Sequence, residues 1–416
     1  MLRGWPGGTL RLGQARRDEV KNILVLTEYF TAGGLETQLR SQARSLGEHG
    51  IRMHLATSSP RSDLAENAFA SALYDLPMQT SAGIFLETIS KVEALVDEFD
   101  IDLIHAHPFL SFMVGMVVAQ RRKLPLVSTL HGPSSISLGG ETIYDILFQK
   151  ALLPRTSLLI AVSPEVEFLA RAAAPCMPVV LPNAVQVNVS APPAPDPGLP
   201  WVWAGRLDHE KIVGLRALIA EVLRLKRNTL HIYGEGPEVE ALRKQLAEED
   251  PQSEWVAYKG WDDNFSDNLS SYSLVAGMGR VLLEGAAASR PCLLVGYDGI
   301  KGIMSEADME QAAAWNFSGR GLRSITPPEF EHQLHALQQS PQQFLHYEWV
   351  KRYRSAEVVW EEYRRKLYGL KPFAAEVVED FIGCLKYSGS SGIPVWGDNR
   401  VYVILGNLNK FRDEIK

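Results

Sequence analysis

The chain has 416 residues, of which 46% are hydrophobic and 22% are charged, and its formal net charge is −7. A chain of this length exceeds what one hydrophobic core covers, so two or three domains are expected. The acidic balance argues against nucleic acid as the main partner, because binding to a phosphate backbone normally shows as a basic surplus. No stretch approaches the roughly 20 uninterrupted apolar residues that a membrane-spanning helix needs.

The N-terminal segment and the cysteines indicate the cellular setting. Residues 1–20 contain Gly and Arg but no apolar block, which favours a flexible leader over a signal peptide, with a weak basic membrane contact as the alternative. Cys176, Cys292 and Cys384 are widely spaced without a CxxC pair, as is typical of buried thiols in a reducing compartment. We therefore expect a cytoplasmic protein with, at most, a peripheral contact at the inner face of the membrane.

The first half of the chain alternates apolar strands with amphipathic helices. Asn22–Thr27 is an apolar run typical of a buried parallel strand, and a glycine turn then leads into a helix with apolar residues at three- and four-residue spacing. Further strands are predicted at 52–57, 102–107, 126–131, 158–162 and 178–181, and helices at 84–99, 110–122, 144–153 and from Pro164. Such repetition predicts a parallel sheet with right-handed crossovers.

A proline-rich stretch at 184–200 marks a domain boundary. After it the alternation restarts, with predicted strands at 201–204, 229–233, 255–259, 273–275 and 292–295, and predicted helices at 213–225, 237–249 and 282–289. A long amphipathic helix is predicted over 344–368. The sequence therefore predicts an α/β protein of two doubly wound domains, over 21–188 and 200–344, with an extension at 372–416 that has no assigned role.

The loop after the first strand of the second half carries two cations. Ligands of doubly wound folds bind where strands lead into helices, and Gly205, Arg206 and Lys211 lie on such a loop. Fixed cations there would stabilise the negative charge of a departing nucleoside diphosphate. The alternative is a solvated surface loop in which Asp208 or Glu210 pairs locally with these cations.

Other glycine turns also lead into predicted helices. Gly277 and Gly279 would let backbone N–H groups approach a phosphate, and Glu284 could then accept both hydroxyls of a ribose. A lone GxG is weak in isolation, and Glu is common near helix N-termini because of the helix dipole. Gly234 and Gly236 are interpreted mainly as a turn.

A third glycine segment, at 299–302, follows the last predicted strand of the second half. We expect it either to wrap a ligand or to be a plain loop. In the first half, Gly33 and Gly34 open a helix and would let the backbone approach a phosphate or a sugar.

Histidines end two neighbouring strands of the first half. His131 is expected to point its ring into the cleft, and His105 and His107 end the strand before it. The three lie on different elements, without an HxxxH pair or a cysteine partner, so no metal site is predicted. Asp102 lies at the opposite end of its strand and is interpreted as structural.

Eight segments occur in an order that resembles a known family. They are GGLETQ at 33–38, DLIHAHPF at 102–109, STLHG at 128–132, AVSPE at 161–165, LPNAV at 181–185, GRLDHEK at 205–211, LHIYGEGPE at 230–238 and GRVLLEGAAASRP at 279–291. Together they resemble the retaining GT-B glycosyltransferases of family 4 over about residues 22–320. The series is much more specific than any one motif.

The resemblance implies two Rossmann-like domains that face across a cleft, an acceptor domain first and a nucleotide-sugar domain second. It implies a clamp on the donor diphosphate at Arg206 and Lys211, ribose held by Glu284, and His131 at the reacting face of the donor sugar. The remaining predicted donor-binding residues are Gly33, Gly34, Gly205, Gly234, Gly236, Gly277, Gly279 and Arg280. A helix near 345–370 would cross back to the first domain.

The expected activity is transfer of a sugar, with retention, from UDP or GDP to a saccharide or lipid-linked acceptor in polysaccharide or glycoconjugate synthesis. The resemblance implies no metal and no cofactor beyond the nucleotide sugar. One departure matters: Ala276 stands where the family usually has a first glutamate, eight positions before Glu284. A non-catalytic subunit and a nucleotide-sugar epimerase are therefore alternatives, whereas the missing GxGxxG disfavours an NAD dehydrogenase.

Overall fold

The structure is a computed structural model, and it describes residues 20–30, 33–58, 68–73, 75–78, 81–137, 147–262, 264–375, 378 and 382. The predicted leader at 1–20, except its last residue, lies outside the described residues, as do Cys384 and most of the extension at 372–416. None of the described helices is both long enough and apolar enough to span a membrane.

Seven strands within the described residues form the first sheet, in the order β3-β2-β1-β4-β5-β6-β7, and all of its pairings are parallel. The strands are β1 (Asn22–Thr27), β2 (Arg52–Thr57), β3 (Ser71–Leu73), β4 (Leu103–Ala106), β5 (Leu126–Leu130), β6 (Leu158–Ala161) and β7 (Val179–Val180). The edge strand β3 is not predicted from the sequence, because it is only three residues long and half exposed.

Helices cover both faces of this sheet. They are α1 (Gly34–Glu48), α2 (Ala82–Glu98), α3 (Leu110–Arg122) and α4 (Pro164–Ala173), and Leu147–Leu152 forms a π-helical turn. Helix α3 packs closely on the strands, since a Cβ on Gly115 would lie 3.2 Å from side-chain atoms of both Ala106 and Ile104. Cys176 is buried, as expected for a free thiol.

Six strands within the described residues form the second sheet, in the order β10-β9-β8-β11-β12-β13. They are β8 (Trp201–Ala204), β9 (Leu230–Tyr233), β10 (Val256–Gly260), β11 (Leu274–Gly277), β12 (Cys292–Gly296) and β13 (Gly299–Ile303). Its helices are α5 (Lys211–Leu225), α6 (Val239–Glu249), α7 (Arg280–Ala287), α8 (Glu306–Ala314) and α9 (Pro327–Gln339). Cys292 is a buried free thiol in β12.

The expectation for 299–302 is wrong in both of its forms. The segment belongs to β13, which pairs antiparallel with β12 and is buried throughout. Lys301 is accommodated because its Nζ lies 2.6 Å from Oδ1 of Asp298 and donates to the carbonyl oxygen of Leu322 at 2.9 Å. A sequence of two glycines and a lysine lacks the apolar pattern of a strand, so only its pairing with β12 reveals it.

The amphipathic segment at 344–368 contains two helices, α10 (Tyr347–Arg354) and α11 (Ala356–Lys366), where the sequence predicts one. They meet at Ser355, whose hydroxyl accepts from the N–H of Val358 and caps α11. Trp349 of α10 packs in a core cluster of the second domain, whereas Trp360 of α11 packs in one of the first. The break therefore lies where the chain crosses from one domain to the other.

The start of the C-terminal extension packs on the first domain. Phe373, Val378 and Ile382 are buried in the core cluster that contains α3. The N–H of Phe373 donates to the carbonyl oxygen of Leu124 at 2.9 Å, and the N–H of Ala375 donates to Oε1 of Gln120 at 2.8 Å. This part of the extension is therefore a component of the first core.

Candidate active site

Each sheet has a switch point at which successive strands begin to add on the opposite side. In the second sheet the chain runs from β8 outward to β10 and then returns to β11, which pairs with β8. Ligands of such sheets bind at the carboxyl ends of the strands that flank the switch point. Ala204 and Gly277 are register partners at these two ends, so the loops that follow them lie side by side.

The loop after β8 carries the two predicted cations. Arg206 is exposed, and Lys211 is the first residue of α5, where its N–H donates to Oδ1 of Asp208 at 2.9 Å. Burial lowers the pKa of Lys211, and the charge of Arg206 lowers it further, against the opposite effects of Asp208 and Glu210. Within the described residues, no carboxylate oxygen lies within 4.0 Å of the side-chain nitrogens of Arg206 or Lys211.

The local ion pairs of the alternative interpretation therefore do not form among these residues. The helix dipole disfavours a cation at the first position of a helix, so Lys211 lies at a position that favours an anion instead. An anionic ligand near this loop would remove both the dipole penalty and the repulsion between the two cations.

Three glycines of the predicted site pack the neighbouring loops together. A Cβ on Gly234 would lie 1.9 Å from the carbonyl oxygen of Gly205, and one on Gly236 would lie 2.2 Å from that of Leu207. Gly234 and Gly236 have φ values of 146° and 154°, which also favour glycine. The structure thus gives Gly205, Gly234 and Gly236 a packing role beside Arg206, and their contact with a donor stays a prediction.

The loop after β11 leads into α7, which begins two residues earlier than predicted, at Arg280. Gly279 has a φ of 64° with open space at its Cβ position, but its N–H donates to the carbonyl oxygen of Phe317 at 2.8 Å. Gly277 is held against Ala204, whose carbonyl oxygen lies 2.9 Å from where its Cβ would be. In the first helical turn the N–H of Leu282 donates to the carbonyl oxygen of Gly279 at 3.3 Å, so the N–H groups that a phosphate could meet are those of Arg280 and Val281.

Arg280 and Glu284 form a nearly buried ion pair on α7. Nε of Arg280 lies 2.8 Å from Oε1 of Glu284, and the two side chains are 11% and 10% exposed. Nη1 of Arg280 donates to Oε1 of Gln38 at 3.0 Å and to the carbonyl oxygen of Ala184. Arg280 is thus committed to contacts with the first domain, and it orients the carboxylate predicted to hold ribose.

Among the residues that the structure describes, three pairs of side chains hydrogen-bond to each other across the cleft. They are Arg280 with Gln38, Arg320 with Glu165 at 2.6 and 2.7 Å, and Asn183 with Asn316 at 3.0 Å. Gln38 is four residues into α1, which is about one helical turn from Gly34. The N-termini of α1 and α7 therefore approach the same gap from opposite domains, and both contribute positive potential there.

The switch point of the first sheet lies between β1 and β4. Gly33 precedes α1, and a Cβ on Gly34 would meet open space. Glu28 follows β1, and its Oε1 accepts the N–H of Phe109 at 2.8 Å and that of Leu110. The carboxylate of Glu28 therefore caps α3.

His105, His107 and His131 form one cluster in the first domain, in which His105 and His107 are buried and His131 is partly exposed. Nε2 of His131 lies 2.7 Å from Nδ1 of His107, and Nε2 of His105 lies 2.8 Å from the hydroxyl of Thr129. Burial lowers the pKa of His131 to about 4 and that of His105 to about 3, and it also lowers the pKa of His107. All three rings are therefore neutral near pH 7. The described residues contain no group of three side chains arranged to hold a metal ion.

Two residues, Ala276 and Asp102, take no part in the chemistry expected at the cleft. Ala276 lies in β11 with no exposed surface and belongs to the same core cluster as Trp203. A glutamate at 276 would bury its charge in that cluster, which is costly without a partner. Oδ2 of Asp102 accepts the N–H groups of Lys21 and Asn22 at 2.9 and 3.0 Å, in agreement with its interpretation as structural.

The sequence did not single out several residues that shape the site. They are Glu28, Gln38, Glu165, Asn183 and Arg320. Gln38, Glu165 and Asn183 lie inside segments that carry the family resemblance, but the sequence gave no role for these three side chains. Arg320 had no local signal, because its partner is 155 residues away in the chain.

Comparisons with known proteins show what the chain resembles. Residues 32–189 match the family model described as Glycosyltransferase Family 4. The first domain is thus similar to this family. A D-inositol 3-phosphate glycosyltransferase of Acidothermus cellulolyticus is 32% identical over 114 residues, which cover 24% of this chain and 25% of that protein. The chain thus spans about a quarter of the length of this relative in the match.

Solved structures with the same fold cover both domains. Anabaena Alr3699/HepE, in complex with UDP and glucose, superposes with a TM-score of 0.64 at 17% identity, covering 83% of this chain and 99% of that one. The UDP-GlcNAc 2-epimerase of Neisseria meningitidis, bound to UDP-GlcNAc, gives a TM-score of 0.51 at 11% identity, covering 83% and 99%. The chain therefore has the GT-B fold, which glycosyltransferases and this epimerase share.

Proposed function

We propose that this chain is a retaining glycosyltransferase that moves a sugar from a UDP- or GDP-linked donor to a saccharide or lipid-linked acceptor. One observation carries the proposal: Arg206 and Lys211, without carboxylate partners among the described residues, lie at the switch point beside α7. The N-terminus of α1 approaches the same gap from the first domain. This arrangement favours an anion with more than one charge, such as a nucleoside diphosphate.

The reaction breaks the bond between the anomeric carbon and the diphosphate oxygen, and a new bond forms between that carbon and an acceptor hydroxyl. Arg206 and Lys211 stabilise the charge that develops on the leaving diphosphate. Glu284 accepts the ribose hydroxyls, and the neutral ring of His131 contacts the donor sugar. The proton of the acceptor hydroxyl leaves with the diphosphate or with solvent.

The acceptor-binding domain, the cellular location and the metal requirement are also part of the proposal. We propose that the first domain binds the acceptor and that the enzyme works in the cytoplasm, in polysaccharide or glycoconjugate synthesis, with a peripheral membrane contact where the acceptor is lipid-linked. We also propose that it needs neither metal nor cofactor beyond the nucleotide sugar. Treatment with EDTA should leave turnover unchanged, and loss of turnover that Mg²⁺ or Mn²⁺ restores would contradict this.

Release of nucleoside diphosphate from a panel of UDP- and GDP-sugars, with and without saccharide acceptors, tests the proposal. Each hydrogen bond to a charged group contributes about 1.5–3 kcal/mol, so Arg206→Ala and Lys211→Ala should each lower kcat/KM by about 10- to 150-fold. Arg227→Ala, which removes an exposed cation just beyond the other end of α5, is the matched control and should be silent. Equal rates in all variants would refute the proposed site.

The missing glutamate at Ala276 supports a second candidate, a non-catalytic subunit that retains nucleotide binding. In that case UDP would raise the melting temperature of the wild type, while no donor and acceptor pair would give turnover. Conversion of a nucleotide sugar without any acceptor would instead identify an epimerase. Ala276→Glu is a poor rescue variant, because position 276 lies in the core.

A further inference from the structure

Two hydrogen bonds lead from the first domain to the residue that precedes α7. The side-chain amides of Asn183, in the first domain, and Asn316, in the second, meet at 3.0 Å. Phe317 follows Asn316 in the chain, and its carbonyl oxygen accepts the N–H of Gly279 at 2.8 Å. The turn that contains Asn316 and Phe317 therefore touches the first domain with one residue and the start of α7 with the next.

A third bond closes this series into a ring. Nη1 of Arg280, the residue after Gly279, donates to the carbonyl oxygen of Ala184, the residue after Asn183. Three pairs of consecutive residues thus bond to one another in a circle, which we call the hydrogen-bond ring. Its members are 183–184, 279–280 and 316–317. The ring connects the N-terminus of α7 to the first domain along two separate routes.

The backbone at Asn316 and Phe317 adopts an unfavourable conformation in this ring. Their φ values are 51° and 54°, which are uncommon for residues other than glycine, and least common for a bulky residue. The side chain of Phe317 holds the turn, because it is 2% exposed and packs edge-on against Trp349 with centroids 6.2 Å apart. Such conformations persist only where surrounding contacts impose them, and they are concentrated at functional sites.

The hydrogen-bond ring lies directly before the N–H groups that a phosphate could meet. These are the N–H groups of Arg280 and Val281, since that of Leu282 already donates to Gly279. The helix dipole adds partial positive charge at the same end of α7. The ring holds Gly279 by its N–H and Arg280 by its side chain. It therefore fixes the direction in which the two N–H groups face the cleft.

We propose that Asn183 and Asn316 are positioning residues that hold the N-terminus of α7 toward a phosphate group, through the carbonyl oxygen of Phe317. The inference rests on the proposed function, in which that phosphate belongs to the diphosphate of the donor. The two amides bond in either orientation, because each has a donor and an acceptor. Without this bond the turn is no longer attached to the first domain, and the contact with Gly279 becomes weaker.

Amide hydrogen exchange of the full chain without ligand tests the ring, with mass spectrometry and electron-transfer fragmentation to resolve Gly279. Exchange at Gly279 should be about two- to tenfold faster in Asn183→Ala and in Asn316→Gly, the scale of one lost hydrogen bond. Glycine suits position 316, because it accepts a φ of 51° without strain. The double variant should resemble the single ones, since both remove the same bond. Unchanged exchange in Asn183→Ala, or additive effects, would overturn the proposal.

UDP and uridine, measured by calorimetry with uridine as the competitor of UDP, show whether the ring acts on the phosphates. Asn183→Ala should lower the affinity for UDP by about two- to tenfold and that for uridine by less than about twofold. Equal losses for the two ligands would overturn the proposal. Faster exchange at Gly279 in a chain whose wild type binds neither UDP nor GDP would retain the positioning of α7 and reject the proposed function.

Asn228→Ala is the matched control. Asn228 precedes β9, at the opposite end of the second sheet from the N-terminus of α7, and its amide donates to the carbonyl oxygens of Pro197 and Leu199 at 2.9 and 3.0 Å. This variant also removes a bonded amide of the second domain, but it should leave exchange at Gly279 and UDP affinity unchanged. A loss of UDP affinity as large as that in Asn183→Ala would attribute both effects to general destabilisation and overturn the proposal.

Discussion

The two domains place their switch points at equivalent positions but fill them with opposite chemistry. In the first domain the side chains at the strand ends form hydrogen bonds within the domain: the carboxylate of Glu28 caps α3, and His107 bonds to His131. In the second, Arg206 and Lys211 find no carboxylate within 4.0 Å among the described residues. One topology thus yields a wall whose histidine rings are neutral, the neutral wall, and a wall whose two cations have no counter-ion among the described residues, the positive wall. This division suits a sugar on the first and a diphosphate on the second.

Charge reversal on the positive wall should give the largest effect on ligand binding. Lys211→Glu replaces the attraction between the Lys211 cation and the diphosphate of UDP with a repulsion. The affinity for UDP should therefore fall by at least about 100-fold, or roughly 3 kcal/mol. His131→Asn on the neutral wall should change UDP affinity less than about threefold. Isothermal titration calorimetry with UDP measures both. Similar losses of UDP affinity in the two variants would show that the diphosphate does not bind mainly at the positive wall.

Removal of the C-terminal extension should affect the first domain selectively. Truncation after Lys371 deletes Phe373, Val378 and Ile382 from the first core, and loss of even one large buried side chain costs about 3–5 kcal/mol. We expect a lower melting temperature, measured by calorimetry, together with retained UDP binding at low temperature. Lys371→Ala in the full chain, which removes an exposed side chain at the truncation point, is the control and should melt like the wild type. Unchanged stability in the shorter protein would contradict the packing.

Acidification should destabilise the first domain through its histidines. The folded pKa values of His105 and His131, about 3 and about 4, lie below the unfolded value of 6.5. The unfolded state therefore binds more protons between these values, so stability is highest above pH 6.5 and falls as the pH drops toward 4. From pH 7 to pH 5 the loss should be about 2 kcal/mol for each histidine.

Urea unfolding at pH 7 and pH 5 measures this effect. His105→Phe, which removes one of the buried titrating groups, should lose less stability on acidification than the wild type, whereas Phe168→Ser, which changes an exposed side chain of the first domain that does not titrate, should leave the pH dependence unchanged. An equal acid loss in all three proteins would place the pH sensitivity elsewhere.

The contacts between the domains should give the smallest effect. Arg320→Ala breaks the bidentate pair with Glu165, but Arg320 is 33% exposed, and solvent weakens such a pair to about 1 kcal/mol. We expect UDP affinity to fall by about three- to fivefold, because the closed arrangement around the cleft becomes less favourable. Arg323→Ala, which breaks an exposed pair with Glu329 inside the second domain, should have no effect. If Arg320→Ala and Arg323→Ala changed UDP affinity equally, the contact between the domains would not contribute to UDP binding.

Much of the fold follows from the sequence, because parallel strands buried on both faces appear as apolar runs between amphipathic helices. The exceptions have physical reasons. Strand β3 is too short and too exposed to give an apolar strand pattern. Strand β13 contains two glycines and a lysine, so its sequence does not indicate that it pairs with β12. The sequence predicted the strand-to-helix loop that carries Arg206 and Lys211, and the structure places this loop between β8 and α5; its role as a binding site stays a prediction.

The sequence by itself determined the alternation of elements and the loops that carry charge, since these depend on neighbours along the chain. Only the tertiary structure decided which partners those residues have. Gln38 and Arg280 are 242 residues apart, and His105 and Tyr363 are 258 apart. Local periodicity contains no information about such pairs, because they depend on how two sheets and a crossover helix pack together.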